Sequence, residues 1–352
     1  MKKYSIIIIA IIAALLVSCN IDATDGIYSE AADSTESTAV TIRSYLGQDN
    51  TGRYYYLTDE GIYIIGREEA LFSSTEGKII RAASLLSDGS LLILRQNSDL
   101  EKGAQISYHK YDNGVYADAI LIEGKYNNLL TNGLFYNSEG IYCYSIDEAE
   151  RKSLLGDNMA IKDIKGLANG AYSLFEVEDP SGAYKFYVFT SDGYGNVTKT
   201  IDGIDAADLT NPTYCGGFQF VGAVDYDYVV LYRQPSSSKL KVYTMDDVEG
   251  VSEEPVVTID FSNNDAPVFL YAIDDCMYIK DTNSFKKIST YDYKTEQITT
   301  GFATDIRTAE ITNILPAKDN EGNVRAGVFI AGTASSMLYE IDMNLDKSTQ
   351  IK

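Results

Sequence analysis

The feature that most constrains this chain is a short element that recurs along most of its length. In it, an apolar strand-like run is closed by an acidic residue, as in IYIIGRE and FYVFTSD. The element ends at seven anchor positions: Glu68, Asp112, Asp147, Asp192, Asp246, Asp292 and Asp342. Successive anchors are 35 to 54 residues apart, about 46 on average. A period of this length predicts a repeat architecture built from small β-units.

The second repeat indicates what one unit contains. Four runs, AASLL, SLLILR, QISYHKY and VYADAIL, alternate with loops, two of which are the turns Ser87-Asp88-Gly89 and Asp112-Asn113-Gly114. Asp-Gly and Asn-Gly pairs accept the positive φ angles of tight hairpins. Similar runs rich in Tyr, Val, Ile and Leu recur throughout, whereas long amphipathic helices are missing. The sequence therefore predicts an all-β fold.

Seven such units resemble a seven-bladed β-propeller, in which four-stranded sheets stand around a channel. We therefore expect residues 40–352 to form a single propeller domain with seven four-stranded antiparallel blades. Six or eight blades, or tandem β-sandwiches, are the alternatives. Continuous apolar runs such as SLLILR and YVVLY favour blades, which are covered on both faces, over sandwich strands, which alternate apolar and polar residues.

The N-terminus carries an export signal. Lys2 and Lys3 precede twelve apolar residues, Ile6 to Val17, a stretch too short for a comfortable membrane span. The end of this run and the next two residues, Leu16-Val17-Ser18-Cys19, resemble the lipobox of bacterial lipoproteins. The resemblance implies that residues 1–18 are a signal peptide, that Cys19 is diacylated, and that the new amino terminus is acylated. An ordinary secretory signal and an uncleaved anchor helix are the alternatives.

Residues 19–39 read as a flexible tether between this anchor and the propeller. From Asn20 onward the segment is small and polar, with five acidic residues and no basic one, so it lacks the apolar surface that folding requires. Two or more acyl chains hold a protein stably at a bilayer. We expect a bacterial envelope protein, anchored outside the cytoplasm through Cys19. Since Asn20 is not Asp, the outer membrane is favoured by the sorting rule known for enteric bacteria.

The charge of the mature chain restricts its partners. Without residues 1–18 it has 27 Lys and Arg against 51 Asp and Glu, a formal charge of −24. Nucleic acid is excluded, because phosphate binding needs clustered basic residues. The negative field also keeps the body away from anionic lipid headgroups, in agreement with attachment by acyl chains.

Three cysteines remain beyond Cys19, namely Cys143, Cys215 and Cys276. They are far apart and form no CxxC pair, so neither a disulfide framework nor a zinc site is indicated. Each lies in or beside an apolar run, which is typical of buried small side chains. One disulfide is compatible with an oxidising compartment, but the sequence does not choose the pair.

Candidates for catalysis are few. His109 is the single histidine, and its position within a strand is typical of a packing residue. No nucleophile elbow, zinc-protease or phosphate-loop motif is present. Oxygen ligands at alternate positions, Asp319-Glu321-Asn323 and Asp225-Asp227, give a weak indication of calcium, and a hairpin turn is the better interpretation of each. No other cofactor is expected.

Aromatic residues supply the remaining candidates for binding. The cluster Tyr54, Tyr55 and Tyr56 is a weak candidate for a glycan or peptide platform, and strand propensity explains it equally well. A second aromatic set is Tyr214, Phe218 and Phe220.

Two functions are therefore compared. The first is a lipid-anchored binding or scaffold module that displays propeller loops to an envelope protein or glycan, without catalysis. The second is an extracytoplasmic propeller hydrolase that holds a metal with carboxylates at the channel mouth. The scarcity of histidine favours the first.

Overall fold

The structure is a computed structural model. The residues it describes are 41–99, 102–156, 159–192, 195–205, 217–219, 228–233, 239–246, 250–260, 268–273, 276–281, 284–289, 292, 294–298, 304–319 and 321–352. Residues 1–40, with the predicted signal peptide, Cys19 and the tether, lie outside this set. Cys215, Tyr214, Phe220, Asp225 and Asp227 also lie outside it.

The regular structure of the described residues is β-strand apart from short helical segments, which confirms the all-β prediction. Sheets are numbered here in chain order, and strands within a sheet are antiparallel. Sheet 1 contains β1 (Ile42–Gln48), β2 (Tyr54–Thr58), β3 (Gly61–Ile64) and β4 (Phe72–Ser73). Sheet 2 contains β5 (Lys78–Leu85), β6 (Leu91–Asn97), β7 (Ala104–His109) and β10 (Ile120–Ile122), with the separate hairpin β8 (Tyr111–Asp112) and β9 (Val115–Tyr116) inserted before β10.

The next two sheets keep the same order, from an inner strand outward. Sheet 3 contains β11 (Asn128–Leu129), β12 (Phe135–Asn137), β13 (Gly140–Ser145) and β14 (Glu150–Ser153). Sheet 4 contains β15 (Asp163–Asn169), β16 (Tyr172–Glu178), β17 (Tyr184–Ser191) and β18 (Val197–Asp205).

Sheet 5 departs from this plan, because two strands pair with one edge of its third strand, β21. It contains β19 (Gly217–Gln219), β20 (Tyr228–Arg233), β21 (Lys239–Asp246), β22 (Gly250–Val251) and β23 (Val257–Asp260). Sheet 6 contains β24 (Val268–Ile273), β25 (Cys276–Asp281), β26 (Ser284–Ser289) and β27 (Thr295–Ile298). After the short helix α1 (Thr304–Thr308), sheet 7 contains β28 (Ile311–Lys318), β29 (Val324–Thr333), β30 (Leu338–Asp342) and β31 (Lys347–Gln350).

Continuous apolar runs are buried on both sides of a sheet, as blades require. In β6, Leu91 and Ile93 pack toward sheet 1, while Leu92 and Leu94 pack toward sheet 3. All four side chains are at most 1% exposed. A β-sandwich buries only one face of each sheet, so this arrangement supports a propeller and excludes tandem sandwiches.

Apolar clusters join neighbouring sheets and define which sheets are enclosed. Sheets 7 and 1, 1 and 2, 2 and 3, and 3 and 4 share such clusters, and sheet 7 also packs on sheet 6 and sheet 4 on sheet 5. Sheets 7, 1, 2, 3 and 4 are thus packed on both faces within the described residues. We call these five sheets the blades.

The prediction of seven four-stranded blades is therefore wrong. Five blades are packed on both faces and line one central opening, and sheet 5 has five strands. The sequence predicted seven blades because each acidic anchor marks one sheet along the chain. The spacing of the anchors does not show which sheets are packed on both faces or how many strands each sheet contains.

The first and last blades are joined by a side-chain clamp. The backbone N–H of Tyr45 in β1 donates to Asn313 Oδ1 at 2.7 Å, and Asn313 Nδ2 donates to the carbonyl of Tyr45 at 2.5 Å. Asn313 thereby satisfies two groups of a strand that lies 268 residues away in sequence.

Among the described residues, no helix is long and apolar enough to cross a membrane.

Candidate functional site at the central opening

The inner strands of the five blades end at a common cavity, which we call the central opening. Its volume is about 270 Å³. Each blade contributes at least one polar side chain to the lining: Gln48, Ser87, Asn132, Asp192 and Lys318. Leucines, a proline and a valine from the same strands and turns provide an apolar wall. A concave site with an apolar wall and a few convergent polar groups is the usual form of a ligand-binding site.

Repeated turns shape the rim of this opening. In blades 1, 2, 3 and 7, the hairpin that follows the inner strand places a glycine at φ between +79° and +87°, namely Gly52, Gly89, Gly133 and Gly322. This backbone conformation is strained for other residues. At Gly133 a β-carbon would also lie 2.9 Å from a methyl of Leu86, so this turn tolerates no side chain without movement of its neighbour.

Hydrogen bonds then connect each rim turn to the next. Between blades 7 and 1, Lys318 Nζ donates to the carbonyl of Gln48 at 3.2 Å. Between blades 1 and 2, Asn50 Nδ2 donates to the carbonyl of Ser87 at 3.2 Å. Contacts of this kind link blades 7, 1, 2, 3 and 4 in that order, so this part of the rim is preorganised.

Further contacts between blades involve blade 3. Ser84 Oγ of blade 2 donates to the carbonyl of Thr131 at 2.9 Å. Asn132 Nδ2 donates to Ser173 Oγ of blade 4 at 2.6 Å. The oxygen of the same amide group, Asn132 Oδ1, is buried and has no hydrogen-bond partner among the described residues. Asn132 therefore holds blades 3 and 4 together at the rim.

A buried ion pair supports the rim between blades 1 and 2. The carboxylate of Asp49 accepts from Arg53 Nε at 2.7 Å and lies 2.6 Å from Arg53 Nη2. Burial opposes ionisation of Asp49, but hydrogen bonds from Thr51 and Arg53 outweigh it and lower the pKa of this carboxyl group. Arg53 also donates to Tyr111 OH at 2.5 Å, which connects the inserted hairpin of sheet 2 to this turn.

The predicted tyrosine cluster lies elsewhere and does not form one platform. Because strand residues alternate, Tyr55 packs between blades 1 and 2 and is 0% exposed, whereas Tyr56 packs between blades 7 and 1 and is 4% exposed. Burial raises the pKa of Tyr55 to about 12. Tyr54 is half-buried beside Tyr45. In the described structure these side chains pack blades together, and a role in ligand contact stays a prediction.

His109 lies in a small buried cluster rather than in the opening. Its Nε2 is 3.0 Å from Ser107 Oγ and 3.4 Å from Arg95 Nη1, and its ring contacts Phe72 at a centroid distance of 4.5 Å. Burial and the positive charge of Arg95 lower the pKa of His109 to about 4. A neutral, enclosed imidazole without a described carboxylate partner acts as a packing residue.

The cysteines and the calcium candidates are placed as follows. Cys143 is a buried free thiol, and burial raises its pKa to about 11, while Cys276 is half-buried. Asp319 accepts the backbone N–H groups of Glu321 and Asn323 at 2.8 and 2.9 Å, which is the geometry of a hairpin turn. In the part of the chain that the structure describes, no group of three or more His, Cys, Asp or Glu side chains is arranged to hold a metal ion. Calcium binding stays a prediction.

Comparison with known proteins yields structural likeness alone. No protein-family model matches the chain, and no curated protein matches it by sequence. Among solved structures it is similar to the dihydro-heme d1 dehydrogenase NirN, with a TM-score of 0.49 and 9% identity over 88% of this chain and 66% of that one. It is similar to Sqt1 of Saccharomyces cerevisiae, with a TM-score of 0.47 and 10% identity over 88% of this chain and 85% of that one. It is also similar to the β-propeller domain of Nup133 of Vanderwaltozyma polyspora, with a TM-score of 0.45 and 11% identity over 85% and 95%. At such identities no function is carried over from these proteins.

The sequence did not predict that the polar lining residues of the opening form a site. Asp192 was noticed as an anchor and Ser87 as a turn residue, but Gln48, Asn132 and Lys318 were not singled out. A signal was present, because Asp49-Asn50-Thr51-Gly52, Leu86-Ser87-Asp88-Gly89 and Leu130-Thr131-Asn132-Gly133 share a glycine at the same turn position. Aligning the repeats on these glycines brings the rim residues together.

Proposed function

We propose that this protein is a lipid-anchored binding module of the bacterial cell envelope, which holds a segment of a partner polypeptide at its central opening. The observation that carries the proposal is the rim itself. Five blades converge on one cavity, and hydrogen bonds between neighbouring blades hold its lining in place. A preorganised site of this kind binds without the entropic cost of ordering its loops.

The chemistry of the lining supports a polypeptide rather than a glycan. The described lining residues include Leu46, Leu86, Leu315 and Pro316 but no aromatic residue. Sugar rings bind best when their apolar faces stack on aromatic rings, whereas apolar side chains of a peptide fit a wall of leucine and proline. The hydroxyl groups of the lining residues Ser87 and Thr131 can accept hydrogen bonds from the N–H groups of a peptide backbone.

The predicted hydrolase receives less support from this geometry. Among the described lining residues, the one carboxylate is that of Asp192, and it accepts hydrogen bonds from Asn196 at 2.8 and 3.1 Å. Binding is therefore the function for which this opening is best suited.

Attachment to the membrane is part of the proposal and depends on the sequence. The lipobox Leu16-Val17-Ser18-Cys19 supports acylation of Cys19, and residues 19–39 supply the tether. The mature charge of −24 supports a protein or peptide partner and opposes nucleic acid. The outer membrane is the favoured location.

Site-specific photo-crosslinking in intact envelopes tests the function. A photoreactive residue is placed at Val324, which lines the opening and is 47% exposed, and in a matched control at Leu345, which is 71% exposed on an outer turn of the same blade. A second variant, Ala171→Trp, fills the opening. The proposal predicts a polypeptide adduct from position 324 that Ala171→Trp abolishes. An adduct of equal yield from position 345, or one that Ala171→Trp leaves unchanged, contradicts it.

A further inference from the structure

Lys318 brings a positive charge to the central opening. It ends the inner strand of blade 7, and its backbone N–H donates to Gln48 Oε1 at 2.9 Å. Its ammonium group donates to the carbonyl of Gln48 at 3.2 Å. The side chain is half-buried and lines the cavity. Both ends of this lysine are therefore held, and the charge has a fixed position.

No described carboxylate neutralises this charge by direct contact. Among the described residues, none has a carboxylate oxygen within 4.0 Å of Lys318 Nζ. Asp49, whose charge acts on Lys318, forms an ion pair with Arg53 at 2.6 Å. Asp192, the described carboxylate of the lining, is engaged with Asn196. A half-buried ammonium with one neutral partner retains donors for an anionic acceptor.

The surroundings of Lys318 also favour an anionic partner for its ammonium group. Burial lowers the pKa of Lys318, and the charge of Asp49 opposes that effect only in part. An arriving carboxylate replaces the lost hydration of the ammonium group and forms a charge-assisted hydrogen bond. This local positive charge stands out on a chain whose mature charge is −24.

We propose that the central opening selects polypeptide segments that carry a carboxylate beside an apolar side chain. The carboxylate binds Lys318, and the neighbouring apolar side chain packs on the wall that includes Leu315. This inference rests on the proposed function and names the chemistry of its ligand. A volume of about 270 Å³ admits a short segment of chain rather than a folded domain.

The first step of the test is to display random hexapeptides on phage and select them on the full lipoprotein in detergent micelles. One library ends in a free carboxylate and a second carries the hexapeptide internally, so that terminal and side-chain carboxylates are distinguished. The expected result is enrichment of acidic residues next to Leu, Ile, Val or Met in at least one library.

The second step is a double-mutant cycle on an enriched peptide. Its acidic group is replaced by the amide, and the protein is used as wild type and as Lys318→Gln. Each single change should weaken binding about ten- to hundredfold, since a hydrogen bond between charged groups is lost. In Lys318→Gln, the amide peptide should bind as well as the acidic one. Lys347→Gln, on the outer strand of the same blade, is the matched control and should change binding less than about threefold.

The outcomes separate this inference from the proposed function. If peptides bind at the opening but the amide peptide binds wild type as tightly as the acidic one, the carboxylate selectivity is refuted and the binding function stands. That comparison needs no variant, so it holds even if Lys318→Gln fails to fold. If no peptide is enriched, or if cell-wall glycan binds instead and Ala171→Trp blocks it, both the inference and the polypeptide-binding function are refuted.

Discussion

Mild acid should destabilise this protein in part through protonation linked to His109. The folded structure holds its imidazole neutral, because burial and the neighbouring Arg95 lower its pKa to about 4 from the ordinary value of 6.5. In the unfolded chain the same group binds a proton below pH 6.5. The unfolded state therefore gains stability as the pH falls from about 6.5 toward 4, and the folded state loses the corresponding free energy.

The magnitude follows from the two pKa values. At about pH 7.5 both states are neutral at His109, and the group contributes nothing. At about pH 5 the unfolded imidazole is almost fully charged while the folded one is almost fully neutral, which costs the folded state about 2 kcal/mol. This is a sizeable part of the stability of an ordinary domain.

The assay is urea unfolding at both pH values, followed by circular dichroism, for wild type and for His109→Gln. Many carboxylates also begin to titrate near pH 5, so the absolute loss of stability has several sources. His109→Gln shares all of them except the imidazole, and His109 is the single histidine of the chain. The free energy of unfolding of wild type should therefore fall about 2 kcal/mol more than that of the variant. Equal losses in the two proteins would refute the reasoning.

Three further predictions concern stability and location. Asn313→Ala should lower the free energy of unfolding by about 2 to 4 kcal/mol, because the backbone N–H and carbonyl of Tyr45 lose their partner. The control Thr312→Ala, at an exposed neighbouring position, should lower it by less than about 0.5 kcal/mol. Urea unfolding measures both, and equal losses would contradict the clamp. Asp49→Asn should lower the free energy of unfolding by about 2 to 4 kcal/mol, because Arg53 loses its buried partner. Asp59→Asn, in the exposed pair with Arg43, should lower it by less than about 1 kcal/mol. Thermal unfolding measures both, and a larger loss for Asp59→Asn would contradict the prediction. Cys19→Ala should move the protein from the detergent phase to the aqueous phase on Triton X-114 partitioning and remove the mass of the acyl chains, and an unchanged partition and mass would show that Cys19 is not the anchor.

Strand content was predictable because burial on both faces leaves a direct trace in the sequence. SLLILR became β6, and the Asn113-Gly114 turn has the positive φ angles, 47° and 88°, that its residues suggested. The fourth strand of that repeat was placed wrongly. VYADAIL contributes Val115 and Tyr116 to a separate hairpin, and the outer strand begins at Ile120. Local turn chemistry does not show which strand a segment will pair with.

The candidate site was harder to predict for a different reason. Lys318 and Asn132 are ordinary residues in sequence, and they become a site because blades 7 and 3 bring the ends of their inner strands to one opening. Conversely, Tyr55 and Tyr56 attracted attention as a cluster, although alternation along β2 sends them to opposite faces. Convergence around an axis depends on long-range packing, and a local motif search does not detect it.

A photo-crosslinking scan of four blades around the rim tests the central claim most directly. Photoreactive residues are placed singly at Ser87, Thr131, Ala171 and Val324, which lie on four blades, and at Leu121 on the outer edge of blade 2 as a control. If five blades form one binding site, all four rim positions should capture the same short segment of one partner polypeptide in intact envelopes, and position 121 should not. Capture from a single blade, or from position 121 with equal yield, would contradict a shared central site.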